Sequence, residues 1–166
     1  NLTTNAVAIV DSGLNRFSFN QVALPIRAFA TTYLVEVALR NTDGSYLPYS
    51  VGCNIATPAF PTTTIRPIQC GNYQATSITE SFVATVLATA TEYRFRLSST
   101  SPVSSATIDR LVSTFNLSMF PALPAGTSCT IEVAVKIGGV WGSYGSSCTI
   151  ITPILTRTAP VVSNEF

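Results

Sequence analysis

The chain has 166 residues, 46% of them apolar and only 10% charged, with a formal net charge of +1 and no histidine. That apolar content suffices for a core. The thinly scattered basic residues exclude a nucleic-acid face, and the lack of histidine excludes Ser-His-Asp, Cys-His and histidine-ligated metal chemistry. No run approaches the roughly 18 consecutive apolar residues of a membrane helix. The opening NLTTNAV lacks the zones of a signal peptide, so the chain reads as a mature or excised piece of something longer.

In chain order, the first legible strand places Tyr33, Val35, Val37 and Leu39 on one face and Leu34, Glu36, Ala38 and Arg40 on the other, the period of a half-buried antiparallel strand. Asp43-Gly44 supplies the turn into a returning strand that ends in CNIATP at Pro58. The segment PAFPTTT, residues 58–64, favours an extended, semi-rigid spacer. Strands are then predicted near 64–70, 81–88, 92–98, 113–119, 128–137 and 140–152, with room for a short element between 102 and 111. Their inward positions are Tyr93, Phe95, Leu97, Phe115, Leu117, Ile131, Val133 and Val135. With no sustained helical periodicity, six or seven short strands over about 95 residues predict an all-β sandwich.

The strand pair is written twice. TTYLVEVALRNTDGSYLPYSVGCNIATP (31–58) aligns with TSCTIEVAVKIGGVWGSYGSSCTIITP (127–153), placing Tyr33 on Cys129, Glu36 on Glu132, Tyr49 on Tyr144 and Cys53 on Cys148. Upstream, Val10-Asp11 and Phe17 match Ile108-Asp109 and Phe115. A spacing of about 96 residues suits a tandem array of small β-domains, whose neighbouring repeats are one another's first partners. The expected organisation is a C-terminal half-domain at 1–58, a linker at 59–64, a complete domain at 65–154 and a tail at 155–166. The first copy matches only from about Val7, so counterparts of the first three strands of the second copy are missing. Half a sandwich leaves its inner face wet, and the missing half is expected upstream, from another chain, or outside the given piece.

The segment FNLSMFPALPAGTSCTIEVAVKIGGVWGSYGSSCTIITP resembles the last strands of a fibronectin type III domain, and YRFRL is similar to its third strand. The sandwiches are therefore expected to be fibronectin type III-like (immunoglobulin-like), the first one incomplete. The CNIATP and CTIITP motifs, the Thr-rich junction and IRPIQCG resemble tandem repeats in large surface proteins of gliding Bacteroidota. That resemblance implies a secreted, extracellular cell-surface protein exported by the type IX secretion system and serving adhesion or gliding motility. Type IX translocon or shuttle proteins would be its partners, as would a surface polysaccharide or protein ligand. A carbohydrate-binding or accessory module of a larger secreted enzyme is the alternative. Where the family usually opens its sixth strand with tyrosine, the first copy has Tyr33 but the second has Cys129.

No catalytic constellation is legible, and neither an enzymatic activity, a metal nor a cofactor is expected. The acids Asp11, Glu36, Asp43, Glu80, Glu92, Asp109, Glu132 and Glu165 form no close cluster of the kind a glycosidase pair needs. Glu36 and Glu132 read as solvated strand residues in equivalent positions, Arg94 and Arg96 as a solvated strand face. Asp43 reads as a turn residue, without the successive acids of a calcium loop. Tyr46, Tyr49, Trp141 and Tyr144, on the hairpins, are the candidate ligand contacts, because aromatic rings offer large rigid faces; the same rings also serve to pack a hairpin onto its own sandwich.

Four cysteines suggest an oxidising compartment. If Gly138-Gly139 makes a two-residue turn, Cys129 faces Cys148 and pairs with it. Tyr33 then leaves Cys53 without that partner, and Cys53 is expected to join Cys70 across the junction. A bulge between Trp141 and Ser147 would break this register and let Cys70 meet Cys148 within one sandwich; four reduced thiols are the remaining alternative.

Overall fold

A computed structural model of the chain describes residue 1, residues 3–23 and residues 28–154. The expected tail, residues 155–166, lies outside them. No α-helix occurs among the described residues, and the chain divides into unit 1, Asn1–Phe60, and unit 2, Pro61–Phe166.

Unit 1 contributes β1 (Thr32–Val35) and β2 (Cys53–Ala56), paired antiparallel. Unit 2 contributes β3 (Tyr73–Gln74), β4 (Phe82–Val83), β5 (Glu92–Thr100), β6 (Val103–Arg110), β7 (Thr114–Phe115), β8 (Ser128–Ile137), β9 (Val140–Trp141) and β10 (Cys148–Ile151). Its larger sheet runs β3-β10-β8-β5-β6, with β9 folded back on β8; the smaller pairs β4 with β7 and is extended by a bridge from Ile65 to Ala84. This is a fibronectin type III-like, immunoglobulin-like sandwich, its two sheets, antiparallel except for the parallel β3-β10 pair, closing over alternating side chains.

Those side chains are the ones the period-two pattern selects. Phe95, Ile131 and Val133 are fully buried, and Tyr93, Leu97, Phe115, Leu117 and Val135 nearly so. Phe115 lies at the centre, 5.3 Å from the Phe82 ring, 4.7 Å from Phe95 and 5.7 Å from Phe120. Each such side chain contributes about 1.5–3 kcal/mol by leaving water.

The strand bounds differ from expectation where local chemistry interrupts pairing. The predicted 64–70 strand is one bridge at Ile65 followed by a 3-10 turn at Pro67–Gln69, because Pro67 lacks the N–H a ladder needs. The predicted 113–119 strand likewise gives way to a 3-10 turn at Leu117–Met119. The gap at 102–111 holds a full strand, β6, paired along β5 from Thr100–Val103 to Tyr93–Arg110. Thr63 and Thr64, read as linker, are bonded into unit 2: the Thr63 hydroxyl donates to the Thr85 carbonyl, and the Thr64 carbonyl accepts from the Thr85 N–H at 2.9 Å.

The expected disulfides do not form. Gly138 and Gly139, at φ +58° and +82°, make the two-residue turn, a conformation that favours glycine at both centres. Lys136 accordingly faces Trp141. Continued, that register would bring Cys129 opposite Cys148. The strand between Gly142 and Ser147 slips instead: Gly142 donates to Val135, Gly145 to Val133, and Cys148 then faces Ile131 while Ile150 faces Cys129. Two single-residue slips have accumulated, each re-aiming the chain as a β-bulge does. Cys148 is bonded to Cys70, with Cα atoms 5.2 Å apart, leaving Cys129 as a buried thiol and Cys53 as an exposed one.

Unit 1 repeats this strand pairing with a longer turn, in which Asn41 donates to Ser45 and Gly44 to Asn41. Tyr33 faces Ile55 and Val35 faces Cys53, as Cys129 faces Ile150 and Ile131 faces Cys148. Leu47 donates to Leu39 and Ser50 to Val37, the equivalents of Gly142 to Val135 and Gly145 to Val133, so the same two slips are present. A Thr-Pro closure also recurs. The Thr57 hydroxyl accepts from the Thr31 N–H at 3.0 Å and donates to Ala28 at 2.7 Å; the Thr152 hydroxyl accepts from Thr127 at 2.8 Å and donates to Pro124 at 2.6 Å. The 3-10 turn Phe19–Gln21 stands where Leu117–Met119 does, and Phe19 packs on Tyr33 at 5.0 Å.

The burial is not repeated. Val37 and Leu39, expected inside, are 58% and 67% exposed, although Tyr33 is buried. Their equivalents Val133 and Val135 are covered by β5 and the smaller sheet, and unit 1 has no counterpart of either among the described residues.

Candidate functional site

The outer face of the β6-β5-β8 sheet gathers most of the chemistry of unit 2. On β5, Glu92, Arg94 and Arg96 alternate with the core residues Tyr93 and Phe95, so all three project from the same face. Register fixes their partners: Arg94 lies opposite Asp109 on β6, Arg96 opposite Glu132 on β8, and Glu92 opposite Lys136. Arg94 makes a bidentate pair with Asp109, Nε and Nη2 each 2.7 Å from a carboxylate oxygen. Arg96 donates from Nε (2.9 Å) and Nη2 (2.6 Å) to one oxygen of Glu132, and Lys136 Nζ lies 2.8 Å from Glu92.

The β8-β9 hairpin and its bulged continuation lay two rings over this ladder. The Arg94 guanidinium is 4.2 Å from the Trp141 ring centroid and that of Arg96 is 4.0 Å from Tyr144; Lys136 Nζ is 5.6 Å from Trp141. Each guanidinium thus serves a carboxylate edge-on and a ring face-on, a combination its planar cation allows and an ammonium does not. The hydrogen bonds from Arg94 hold the Asp109 carboxyl below its ordinary range against the opposing effect of burial, and the same pair raises Arg94. Trp141 and Tyr144 are half-buried, with one flank of each turned to its own sheet.

In unit 1, Tyr46 and Tyr49 occupy the places of Trp141 and Tyr144 but are 52% and 59% exposed. The Tyr46 hydroxyl donates to Asp11 at 2.8 Å, which raises its pKa, and Arg40 lies 5.8 Å from its ring. Asp43 accepts from the Ser45 hydroxyl and N–H in a closed turn, which lowers its pKa. Glu36, expected to share a surface role with Glu132, is exposed. The four candidate aromatics therefore form one pair per unit, and the cysteines contribute one bridge within unit 2.

Asp109 and Lys136 escaped the sequence reading as members of this face. The signal was present in Glu92-x-Arg94-x-Arg96 against Glu132-x-x-x-Lys136, but only the pairing register assigns partners. Elsewhere in unit 2, Glu80 is an internal clamp: it accepts from the Tyr73 hydroxyl and from the N–H and hydroxyl of Thr76. An apolar groove lined by Ile78, Leu117, Phe120, Leu123 and Pro153 contains no ionisable side chain. Among the described residues, no group of three metal-ligating side chains converges.

No family description matches the chain, and no curated protein does. Among solved structures, it is similar to the FN1-FN3 domains of chicken CNTN1, at 17% identity and a TM-score of 0.38 over 75% of this chain. The match spans 42% of that chain.

Proposed function

We propose that this chain is a non-enzymatic part of a secreted cell-surface protein, an adhesin or gliding-motility stalk built from fibronectin type III-like repeats and exported by the type IX system. The observation that carries the reading is the hairpin with its two register slips and Thr-Pro closure, present in both units. A unit reused with its strand register and closure intact serves length and display, in the manner of tandem domains. The chemistry of unit 2 supports a structural role, since its sheet-face acids are paired with cations and its hairpin rings stacked on arginines. A bridge within the sandwich suits an oxidising exterior. In a native host, surface immunolabelling of this polypeptide should disappear when the type IX translocon is deleted, and deletion of the polypeptide should reduce attachment or gliding. Labelling unchanged in the translocon mutant would overturn the export reading.

The rival, a carbohydrate-binding or accessory module of a secreted enzyme, draws on the exposure of Tyr46 and Tyr49. Affinity electrophoresis in gels containing soluble polysaccharides separates the two. Retardation by one glycan, abolished by Tyr46→Ala with Tyr49→Ala, favours the module; mobility unchanged in every gel favours the stalk.

A further inference from the structure

In unit 2 the larger sheet ends at β6, an 8-residue strand with no strand partner on its far side among the described residues. The chain enters it from β5 and leaves it for β7 through described residues, so this edge belongs to the closed sandwich. Hydrogen bonding fixes which groups it presents. Val133 and Val135 accept from Gly145 and Gly142, so alternation directs the backbone groups of Glu132, Ala134 and Lys136 to β5. Their partners Arg96, Arg94 and Glu92 spend their own groups on β8, which leaves Tyr93, Phe95 and Leu97 to bond Arg110, Ile108 and Ala106. The N–H and C=O groups of Val103, Ser105, Thr107 and Asp109 therefore point to the open edge, and all four side chains are exposed.

An edge of this length is ordinarily guarded by a lysine, a proline or a bulge. β6 runs in unbroken register with β5 and contains neither lysine nor proline. Its two charges are engaged within the domain, Asp109 by Arg94 and Arg110 by the Thr114 carbonyl. At its ends, Val103 is 90% exposed and Leu111, the next residue beyond the strand, 80%.

The strand is also complementary to itself. A two-fold antiparallel pairing must set edge-directed residues opposite one another, which leaves few registers. With Thr107 on the axis, Val103 meets Leu111, Ala106 meets Ile108, Ser105 meets Asp109 and Ser104 meets Arg110, apolar on apolar and hydroxyl on charge. An axis at Ala106 instead sets Val103 on Asp109, and one at Ile108 sets Leu111 on Ser105. An axis at Ser105 carries Leu111 past the end of the second strand, and one at Asp109 brings two carboxylates face to face.

We propose that the β6 edge of unit 2 is a self-association surface, at which a second copy of this chain adds its own β6 antiparallel about a two-fold axis through Thr107. The two larger sheets then become one continuous sheet. Such a contact is isologous, each strand being donor and acceptor to the other. Main-chain bonds supply affinity and the cross-strand pairs supply register. One strand pair is small beside the roughly 1,000 Å² of a stable interface, so the association belongs to the micromolar-to-millimolar range. The pairing concerns the chain itself and is independent of the surface-protein reading.

The full chain, with exposed Cys53 alkylated to exclude a disulfide-linked dimer, is followed by sedimentation and residue-resolved hydrogen exchange as its concentration rises to about 1 mM. The expected result is a monomer–dimer equilibrium in which exchange at Val103, Ser105, Thr107 and Asp109 slows with concentration. Ala106 and Ile108, already bonded to β5, should not change. Thr107→Lys and Thr107→Glu, at an exposed position, should each weaken association by about tenfold or more, since like charges then meet on the axis. An equimolar mixture of the two variants should recover it. Protection retained at Ala106 and Ile108 in either variant separates lost association from lost folding. A chain that stays monomeric throughout would overturn the proposal, as would dimers that leave the four β6 amides unprotected. Variants that associate as well as the unaltered chain would do the same, and a mixture no tighter than either variant alone would remove Thr107 from the axis and the proposal with it.

Discussion

Units 1 and 2 carry the same strand pairing with the same two register slips, and among the described residues only unit 2 closes it beneath a second sheet. Val133 and Val135 are sealed beneath β5 and the smaller sheet, whereas Val37 and Leu39, equivalent in sequence and backbone bonding, face solvent. The shared hairpin geometry is therefore set locally, by its bulges and its Thr-Pro closure. Burial is conferred from outside, by β5 along the edge and by the β4-β7 sheet that faces it. A two-stranded ribbon is marginal by itself, and Tyr33 packed on Phe19 is what unit 1 has in place of a second sheet.

The largest test of this comparison removes the core from one unit and the matching surface from the other. Phe95→Ala should cost unit 2 about 3–5 kcal/mol, since Phe95 is fully buried against Phe115. The matched pair Val133→Ala and Val37→Ala should diverge, at about 2 kcal/mol for the first and within about 0.5 for the second. Hydrogen exchange resolved by unit reads both. Equal costs at Val133 and Val37 would mean that unit 1 has a covered face after all.

Next in size is the bridge. Replacing both Cys70 and Cys148 by serine should cost unit 2 about 2–4 kcal/mol, because the bond closes a 78-residue separation. Native alkylation should label Cys53, which is exposed, and leave Cys129, which is buried and whose thiol burial pushes up in pKa. Non-reducing peptide maps should contain Cys70 joined to Cys148. A Cys129–Cys148 or Cys53–Cys70 peptide would contradict the register.

How much of this was legible follows from where each signal resides. Tyr93-x-Phe95-x-Leu97 and Cys129-x-Ile131-x-Val133-x-Val135 announce both period and core, because a strand with one buried face writes that face into alternate positions. The edge strand β6 does not: Ser104, Ser105 and Thr107 face partners that need no apolar surface. Alternation at Val37 and Leu39 tells which side would be inward and says nothing of whether anything covers it. The cysteine pairing turned on the slips between Gly142 and Ser147, in GSYGSS, where small and polar residues carry no period to count. The pairing of Arg94 with Trp141 and Arg96 with Tyr144 depends on the register of β5 on β8, a long-range fact absent from either strand's own sequence.

A smaller contrast lies at the loop before each repeated strand. Gly126 has φ +69° and its equivalent, Ala30, has φ +48°, in the left-handed region that a Cβ makes unfavourable. Ala30→Gly should stabilise unit 1, and Gly126→Ala should destabilise unit 2, each by about 1 kcal/mol. Opposite signs measured in the same assay would confirm that the closure has one geometry in both units; a loss on Ala30→Gly would show that the two loops differ.

The smallest expected effect is the acid response of unit 2. Asp109 is held below its ordinary 3.8 by the hydrogen bonds from Arg94. Glu80 is raised by burial but more than compensated by hydrogen bonds from Tyr73 and Thr76, and ends below its ordinary 4.5. A carboxyl depressed in the folded state binds its proton more readily in the unfolded chain. Its contribution is therefore complete above the ordinary value and is lost as pH falls through the folded one. Melting of unit 2 should be level in this respect from about pH 7 to 5 and decline below about pH 4.5. The Glu80 portion should vanish in Glu80→Gln and the Asp109 portion in Asp109→Asn. Because Asp109 is part of an exposed ion pair, its share should be the lesser and should shrink with added salt. A decline below pH 4.5 that is undiminished in the double variant would place the acid sensitivity elsewhere and leave these two carboxylates without a role in stability.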